Sequence, residues 1–206
     1  MLLSLATFTL AAALIVLLPG PDTLVVLRNL LRGGRSVAAR TVLGVLTGLS
    51  VWVVTAALGL SAVLRASHEG YLALRIAGAL YLLYLGVQSL RSRGQQPAPG
   101  GRQDRRRGLI GTGYGAGLAT DLLNPKVGVF FVTFLPGFVP SGYSVGWLSL
   151  LLGSIFVVLT AVYFAVLIAV SGKVTHWLTT THIRRRMDRV TGTVLIAFGV
   201  RLAIEN

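Results

Sequence analysis

Three ionisable residues, Asp22, Asp121 and Lys126, lie inside or beside long apolar stretches of the sequence. A charged side chain is costly in such surroundings and is usually retained for a task. The pattern favours a site in which Asp22 or Asp121 binds an ammonium group or a proton, while Lys126 neutralises them or binds a carboxylate. A structural alternative stays open, in which Asp22 caps a helix that starts after Pro21 and Asp121 pairs with Lys126.

Proline-containing motifs accompany this cluster in both halves of the chain, at 19–22 and 124–126. Proline lacks a backbone N–H and clashes with the preceding turn, so each motif should break its helix. The freed backbone groups must be buried in protein or line a watery cavity. Half-helix N-termini there would suit a substrate carboxylate, and C-terminal ends would suit a cation. The predicted substrate and proton pathway therefore consists of Pro19, Gly20, Pro21, Asp22, Asp121, Asn124, Pro125 and Lys126.

The stretches that hold these motifs predict an all-α integral membrane protein. The 206 residues are 54% hydrophobic and 12% charged, which is outside the range of ordinary soluble domains. Long apolar runs without alternation do not suit a transmembrane barrel, and a helix needs about 20 residues to cross the hydrocarbon core. The chain offers six candidate spans, which are Leu2–Leu18, Val42–Leu64, Leu72–Leu90, Leu109–Thr120 continuing into Val127–Leu135, Val145–Val170 and Val190–Ile204.

The six spans form a single transmembrane domain, residues 1–206, that divides into two halves. Repeat 1 covers residues 1–92, a linker rich in Gln, Pro and Gly lies at 93–107, and repeat 2 covers 108–206. The first span of each half carries a proline interruption at a corresponding place. Two copies of three spans must sit in the membrane with opposite orientations, so we expect an inverted repeat.

Basic residues concentrate after the first, third and fifth spans. Arg32, Arg35 and Arg40 follow the first span, and the runs Arg105–Arg107 and Arg184–Arg186 follow the third and fifth. The positive-inside rule makes these odd loops cytoplasmic and places both termini outside. The net charge of +13 is then explained by topology and anionic lipid headgroups, so no nucleic-acid partner is expected. No Lys or Arg precedes Arg28, so we interpret the first span as retained and not as a signal peptide.

Other residue types narrow the function further. The absence of cysteine removes disulfides, thiolate metal sites and cysteine-based redox chemistry, and no histidine pattern indicates a metal site. We therefore expect no metal, no cofactor and no catalytic residues. Tyr81, Tyr84 and Tyr163 could line a cavity through their hydroxyls, although packing is the more common role. Gly44 and Gly48 have the small-xxx-small spacing of close helix contacts, within a protomer or between protomers.

Taken together, these motifs resemble the lysine exporter / threonine efflux (LysE/RhtB) family. The similarity covers essentially the whole chain and rests on 19–22, 28–29, 33–35, Gly44 and 77–86 in the first half, and on Gly117, 124–126, 130–131 and 134–136 in the second. Membership would imply a bacterial inner-membrane exporter of amino acids or close derivatives, driven by the proton motive force. It would also imply a homodimer in the lipid bilayer.

Residues and resemblance together lead to one hypothesis of function. The amino-acid substrate sits between the two proline breaks, and one repeat rocks against the other to give alternating access. Asp22 is the first choice for exchanging the coupling proton, because a low-dielectric cavity disfavours a charged carboxylate. The alternative is an integral membrane enzyme or assembly factor acting on a lipid-linked substrate, although the acids are few and central for such chemistry.

Overall fold

The structure is a computed structural model that describes residues 1–17, 20–66, 68–91, 111–140, 142–170 and 181–204. All regular structure within these residues is helical, as predicted. A π-helical turn (Phe130–Phe134) and a 3-10 turn (Leu135–Phe138) follow the fifth helix. The helices in chain order are α1 (Leu2–Leu17), α2 (Pro21–Ala66), α3 (His68–Arg91), α4 (Gly113–Leu122), α5 (Pro125–Val129), α6 (Val145–Ala169) and α7 (Thr181–Ile204).

The second helix is much longer than its apolar stretch. It starts at Pro21 and is interrupted by one non-helical residue, Gly34, with φ 73° and ψ −172°. A positive φ strains residues that carry a side chain, so glycine permits this bend. Arg32 and Arg35, which the sequence analysis placed in a loop, are instead helical on either side of the bend. Backbone hydrogen bonds need no apolar side chains, and a helix can therefore continue past the hydrocarbon core.

Other helix ends were also misplaced. The last helix starts at Thr181, ahead of the apolar stretch that begins at Val190, and so contains the run Arg184–Arg186. His68 and His182 lie in the first turns of α3 and α7. The fifth predicted span, by contrast, matches α6 to within one residue at its end.

Close helix contacts hold α4 against α2. A Cβ atom at Gly44 would lie 2.0 Å from the carbonyl oxygen of Tyr114, and one at Gly117 would lie 1.9 Å from that of Thr41. Only glycine allows two backbones to approach in this way. The choice left open for Gly44 is thus resolved, because it packs within the protomer. The remaining main contacts are α1 with α6, α2 with α6, and α3 with α7.

The outer surface is strongly apolar. Two helices, α2 over Pro21–Gly59 and α6, are long and apolar enough to cross a membrane, and Ser4–Leu17 is a shorter apolar helix. Large side chains such as Val158 and Val162 on α6 are more than half exposed. Exposed apolar area on this scale marks a surface that contacts lipid or another protein.

Candidate functional site

Two helix boundaries meet near the centre of the molecule. The first helix ends at Leu17 and α2 starts at Pro21 with Asp22 in its first turn; Pro19, part of the predicted pathway, lies outside the described residues. The fourth helix ends at Leu122, and α5 starts at Pro125. Proline suits the first helical position, because the N–H that it lacks would have no intrahelical partner there.

Asn124 joins the two boundaries. Its Oδ1 accepts a hydrogen bond from the backbone N–H of Lys126 at 3.1 Å, which makes it the N-cap of α5. Its Nδ2 donates to Oδ2 of Asp22 at 2.7 Å. The capping bond fixes which end of the amide is the donor, so the Asp22 oxygen that it meets is an acceptor.

Asp22 and Lys126 face the same space. Their charges interact, and a Cβ atom at Gly20 would lie 3.9 Å from Nζ of Lys126. The second carboxylate oxygen of Asp22, Oδ1, is buried and has no hydrogen-bond partner among the described residues. The site therefore holds a carboxylate oxygen of Asp22 that can still accept a hydrogen bond, close to the amine of Lys126.

These residues line one side of a cavity between α1, α2, α5 and α6. Tyr163 also lines the cavity, together with Thr23. The volume open to water is about 50 Å³, room for a few water molecules. Polar lining comes from Gly20, Asp22, Thr23, Asn124, Lys126, Thr160 and Tyr163, and apolar lining comes from Ile15, Val16, Val45, Leu49, Val127, Phe130, Phe156 and Phe164.

The other two tyrosines lie away from this cavity. Tyr81 and Tyr84 are on α3, where their ring centroids are 6.1 Å apart, and neither lines the cavity. Tyr84 is 59% exposed, so it contributes to the outer surface. The sequence did not distinguish Tyr163 from Tyr81 and Tyr84 as a cavity residue. In a uniformly apolar helix, no pattern of residue types shows which side of the helix faces a cavity.

Asp121 is set apart from the cavity lining. It lies in the last turn of α4 and is fully buried, and neither carboxylate oxygen has a hydrogen-bond partner among the described residues. Its backbone carbonyl accepts from the backbone N–H of Asn124 at 2.9 Å and from Nε1 of Trp52 at 3.4 Å. The acid is thus held at the helix boundary while its side chain stays unpaired.

Sequence reasoning missed several buried polar residues. Asn29 and Thr41 form a 2.8 Å hydrogen bond that ties the two parts of α2 together across the Gly34 bend. Thr23 and Thr160 add hydroxyls to the cavity. The signal in the sequence is a single uncharged polar side chain within an apolar run.

The whole chain can be compared with known proteins. A sequence model of the family described as LysE type translocator matches residues 13–206. The chain belongs to this family. No solved structure matches it significantly.

The alignments with named relatives cover nearly the full length of this translocator. It is 30% identical to an uncharacterized membrane protein of Bacillus subtilis, covering 98% of this chain and 99% of that protein. An uncharacterized membrane protein of Pseudomonas aeruginosa is 31% identical over 96% of this chain and 93% of its own length. A leucine efflux protein of Enterobacter is 30% identical with the same two coverages.

Family membership decides between the two classes of function considered above. The translocator is a membrane transport protein and not an enzyme, because the family is one of translocators and its relatives include leucine efflux proteins. The lipid-linked enzyme or assembly factor is therefore set aside. The apolar surface of α2 and α6 then has its explanation in the surrounding lipid.

Proposed function

We propose that this translocator exports amino acids with apolar side chains across the bacterial inner membrane in exchange for protons. The observation that carries the proposal is the divided lining of the cavity. Asp22, Asn124 and Lys126 lie together, while the remaining walls are mainly aliphatic and aromatic side chains, with the hydroxyls of Thr23, Thr160 and Tyr163 as further polar groups. A free amino acid has the same division, with an ammonium and a carboxylate at one end and a side chain at the other.

Each charged group of the substrate has a partner in the cavity. The ammonium group would bind Asp22, whose Oδ1 is an unused acceptor. The carboxylate would bind the ammonium group of Lys126, and Asn124 would keep Asp22 in place through its 2.7 Å hydrogen bond. Ionic hydrogen bonds of this kind are stronger than neutral ones.

The apolar walls favour a substrate with an uncharged side chain. Phe130, Phe156 and Phe164 contribute aromatic rings to the lining, and they offer no carboxylate to pair with a second cationic group. A basic side chain would have to be desolvated against these rings, which is costly without a counter-charge. The leucine efflux proteins among the relatives support this choice of substrate.

Alternating access would move the substrate between the two sides of the membrane. The present cavity is too small for an amino acid, so a larger opening belongs to another conformation. We infer six spans in two inverted repeats, with the first and fourth spans broken near their prolines. The contacts support this, because exchanging α1 with α4, α2 with α6 and α3 with α7 maps the α1–α6 contact onto the α2–α4 contact.

The test is counterflow in proteoliposomes that contain the purified protein and unlabelled leucine inside. Labelled leucine added outside should accumulate transiently, because exchange carries it inward without a driving force. Labelled isoleucine and phenylalanine should behave similarly, and labelled lysine should not accumulate. Absence of counterflow for every amino acid in this panel would refute the proposal.

A matched pair of acid-to-amide variants tests the site. Asp22→Asn should abolish leucine counterflow, because it removes the charge that binds the ammonium group. Glu69→Gln, at an exposed acid in the first turn of α3, should leave counterflow unchanged. Equal activity of the two variants would place the substrate site elsewhere.

A further inference from the structure

The two acids near the helix boundaries have different surroundings. Asp22 accepts a hydrogen bond from Asn124, interacts with the charge of Lys126 and lines the cavity. Asp121 is 0% exposed, has no hydrogen-bond partner for either oxygen among the described residues and does not line the cavity. Two carboxyl groups placed so differently are suited to different tasks.

An ionised carboxylate could not remain at the Asp121 position in this conformation. Burying a charge without a counter-charge or hydrogen bonds is among the most costly arrangements in a protein. The described residue whose charge acts on Asp121 is Asp22, which is also an acid. Lys126 acts on Asp22, and the indole N–H of Trp52 is directed at the Asp121 backbone carbonyl. The closed conformation therefore suits a protonated Asp121 better than an ionised one.

The carboxyl group lies inside the tight contact between α2 and α4. A Cβ atom at Gly48 would lie 2.5 Å from Oδ1 of Asp121, so the glycine is what leaves room for the acid. The same contact continues through Gly44 and Gly117, where backbones touch. We call this contact, defined by Gly44, Gly48, Gly117 and Asp121, the α2–α4 seam. Asp121 has no exposed surface inside the seam, so ionisation of Asp121 requires the seam to open.

We propose that Asp121 is the proton-binding site of the transport cycle, and that the closed α2–α4 seam is the proton-loaded state of the step that returns the empty carrier after substrate release. The proposal rests on the proposed function and assigns the proton to Asp121 instead of Asp22. When the seam opens toward the outside, the Asp121 carboxylate takes a proton from water. When it opens toward the cytoplasm, the O–H bond breaks and the proton passes to water there. Asp22 stays available for the substrate ammonium group throughout.

The experiment compares two modes of transport in proteoliposomes, with leucine as the probe. Counterflow at equal pH on both sides needs substrate exchange alone, whereas uptake driven by an acid interior needs proton coupling. Asp121→Asn mimics the protonated acid permanently, so it should retain counterflow and lose the stimulation by the pH gradient. Asp121→Ser is a second, smaller neutral variant, whose hydroxyl can bond to its own helix, and it should give the same result.

The controls separate this proposal from the proposed function. Thr120→Val, at the neighbouring residue whose hydroxyl bonds to the carbonyl of Ala116 in its own helix, should keep both modes. Asp22→Asn should lose both modes, because substrate binding fails. Absence of wild-type counterflow would refute the proposed function. Wild-type counterflow combined with gradient-driven uptake by either Asp121 variant would overturn only the assignment of the proton to Asp121.

Two further outcomes also bear on the assignment. A folded Asp121→Asn protein that loses both modes would show that Asp121 serves binding or structure, and the proton role would be wrong. Folding is checked by the elution profile of the purified variant in detergent. If Asp121→Asn does not fold, Asp121→Ser decides, and failure of both neutral variants to fold would overturn the claim that a neutral residue satisfies the closed seam.

Discussion

At the scale of single residues, Asn124 is the amide that connects the two charged motifs. Its oxygen is occupied by the backbone N–H of Lys126 and its nitrogen donates to Asp22. An aspartate at the same position could still cap α5, because aspartate is as good an N-cap as asparagine. It could no longer donate to Asp22, so the two roles of Asn124 can be separated by mutation.

We expect Asn124→Asp to destabilise the protein, because it places a second carboxyl group against that of Asp22. The double variant Asp22→Asn/Asn124→Asp reverses the donor and the acceptor, and it should recover most of the lost stability. One hydrogen bond of this kind to a charged group is worth about 1.5–3 kcal/mol. The measurement is the melting temperature of each variant in detergent, compared with Asp22→Asn alone. No recovery in the double variant would contradict the 2.7 Å contact between residues 22 and 124.

The sequence predicted the cluster of charges better than the environment of each charge. Asp22 and Lys126 could be assigned to one place because charges beside proline breaks are rare and must face the interior, and Asn124 belongs to the same proline motif as Lys126. The separation of Asp121 from the cavity could not be predicted, although it is only three residues from Asn124. It depends on Gly48, which lies on another helix and leaves the space for the carboxyl group.

At the scale of helices, Trp52 packs across the boundary between α4 and α5. Pro125 has no N–H to donate to the carbonyl of Asp121, which lies four residues earlier. The indole N–H of Trp52 reaches this carbonyl at 3.4 Å. The six-membered part of its ring lies against α5, where a Cβ atom at Gly128 would be 2.7 Å from Cη2.

This geometry predicts that substitutions at Trp52 and Gly128 have strongly non-additive effects on the free energy of unfolding. Gly128→Ala should destabilise the wild-type protein by about 1–3 kcal/mol, because the added methyl group overpacks the indole. In the Trp52→Phe background the clashing ring atoms are gone, and the same substitution should become neutral or slightly stabilising, since alanine favours helix over glycine by up to about 1 kcal/mol. The measurement is a double-mutant cycle of unfolding in detergent. Equal effects of Gly128→Ala in both backgrounds would contradict the contact.

At this scale, the sequence predicted some helix ends correctly and others wrongly. Apolar stretches predicted α6 closely because its helix and its apolar run end together. They failed for α2 and α7, where the helix continues through arginines. Hydropathy reports the side chains' preferred solvent, whereas a helix is defined by its backbone hydrogen bonds. The bend at Gly34 was likewise invisible, because its positive φ is a backbone property that several glycines of this chain could have supplied.

At the scale of the whole molecule, orientation in the membrane determines which helix ends face the cytoplasm. The proposed topology places the bend of α2 in the cytoplasm, among Arg32, Arg35 and Arg40, and it places the start of α6 outside. The arginines of the bend lie near one end of α6, since Arg35 donates to the carbonyl of Ala169 at 3.4 Å. The two ends of α6 would then lie on opposite sides of the bilayer.

The absence of cysteine makes this topology directly testable, because each introduced cysteine is the only thiol in the protein. Ser36 beside the bend and Ser144 before α6 are both exposed, and serine to cysteine is nearly isosteric. A membrane-impermeant maleimide applied to right-side-out membrane vesicles should label Ser144→Cys at once. It should label Ser36→Cys only after the membrane is permeabilised, and the wild-type chain should stay unlabelled. The reverse pattern would invert the proposed orientation, and labelling of both sites would contradict a span between them.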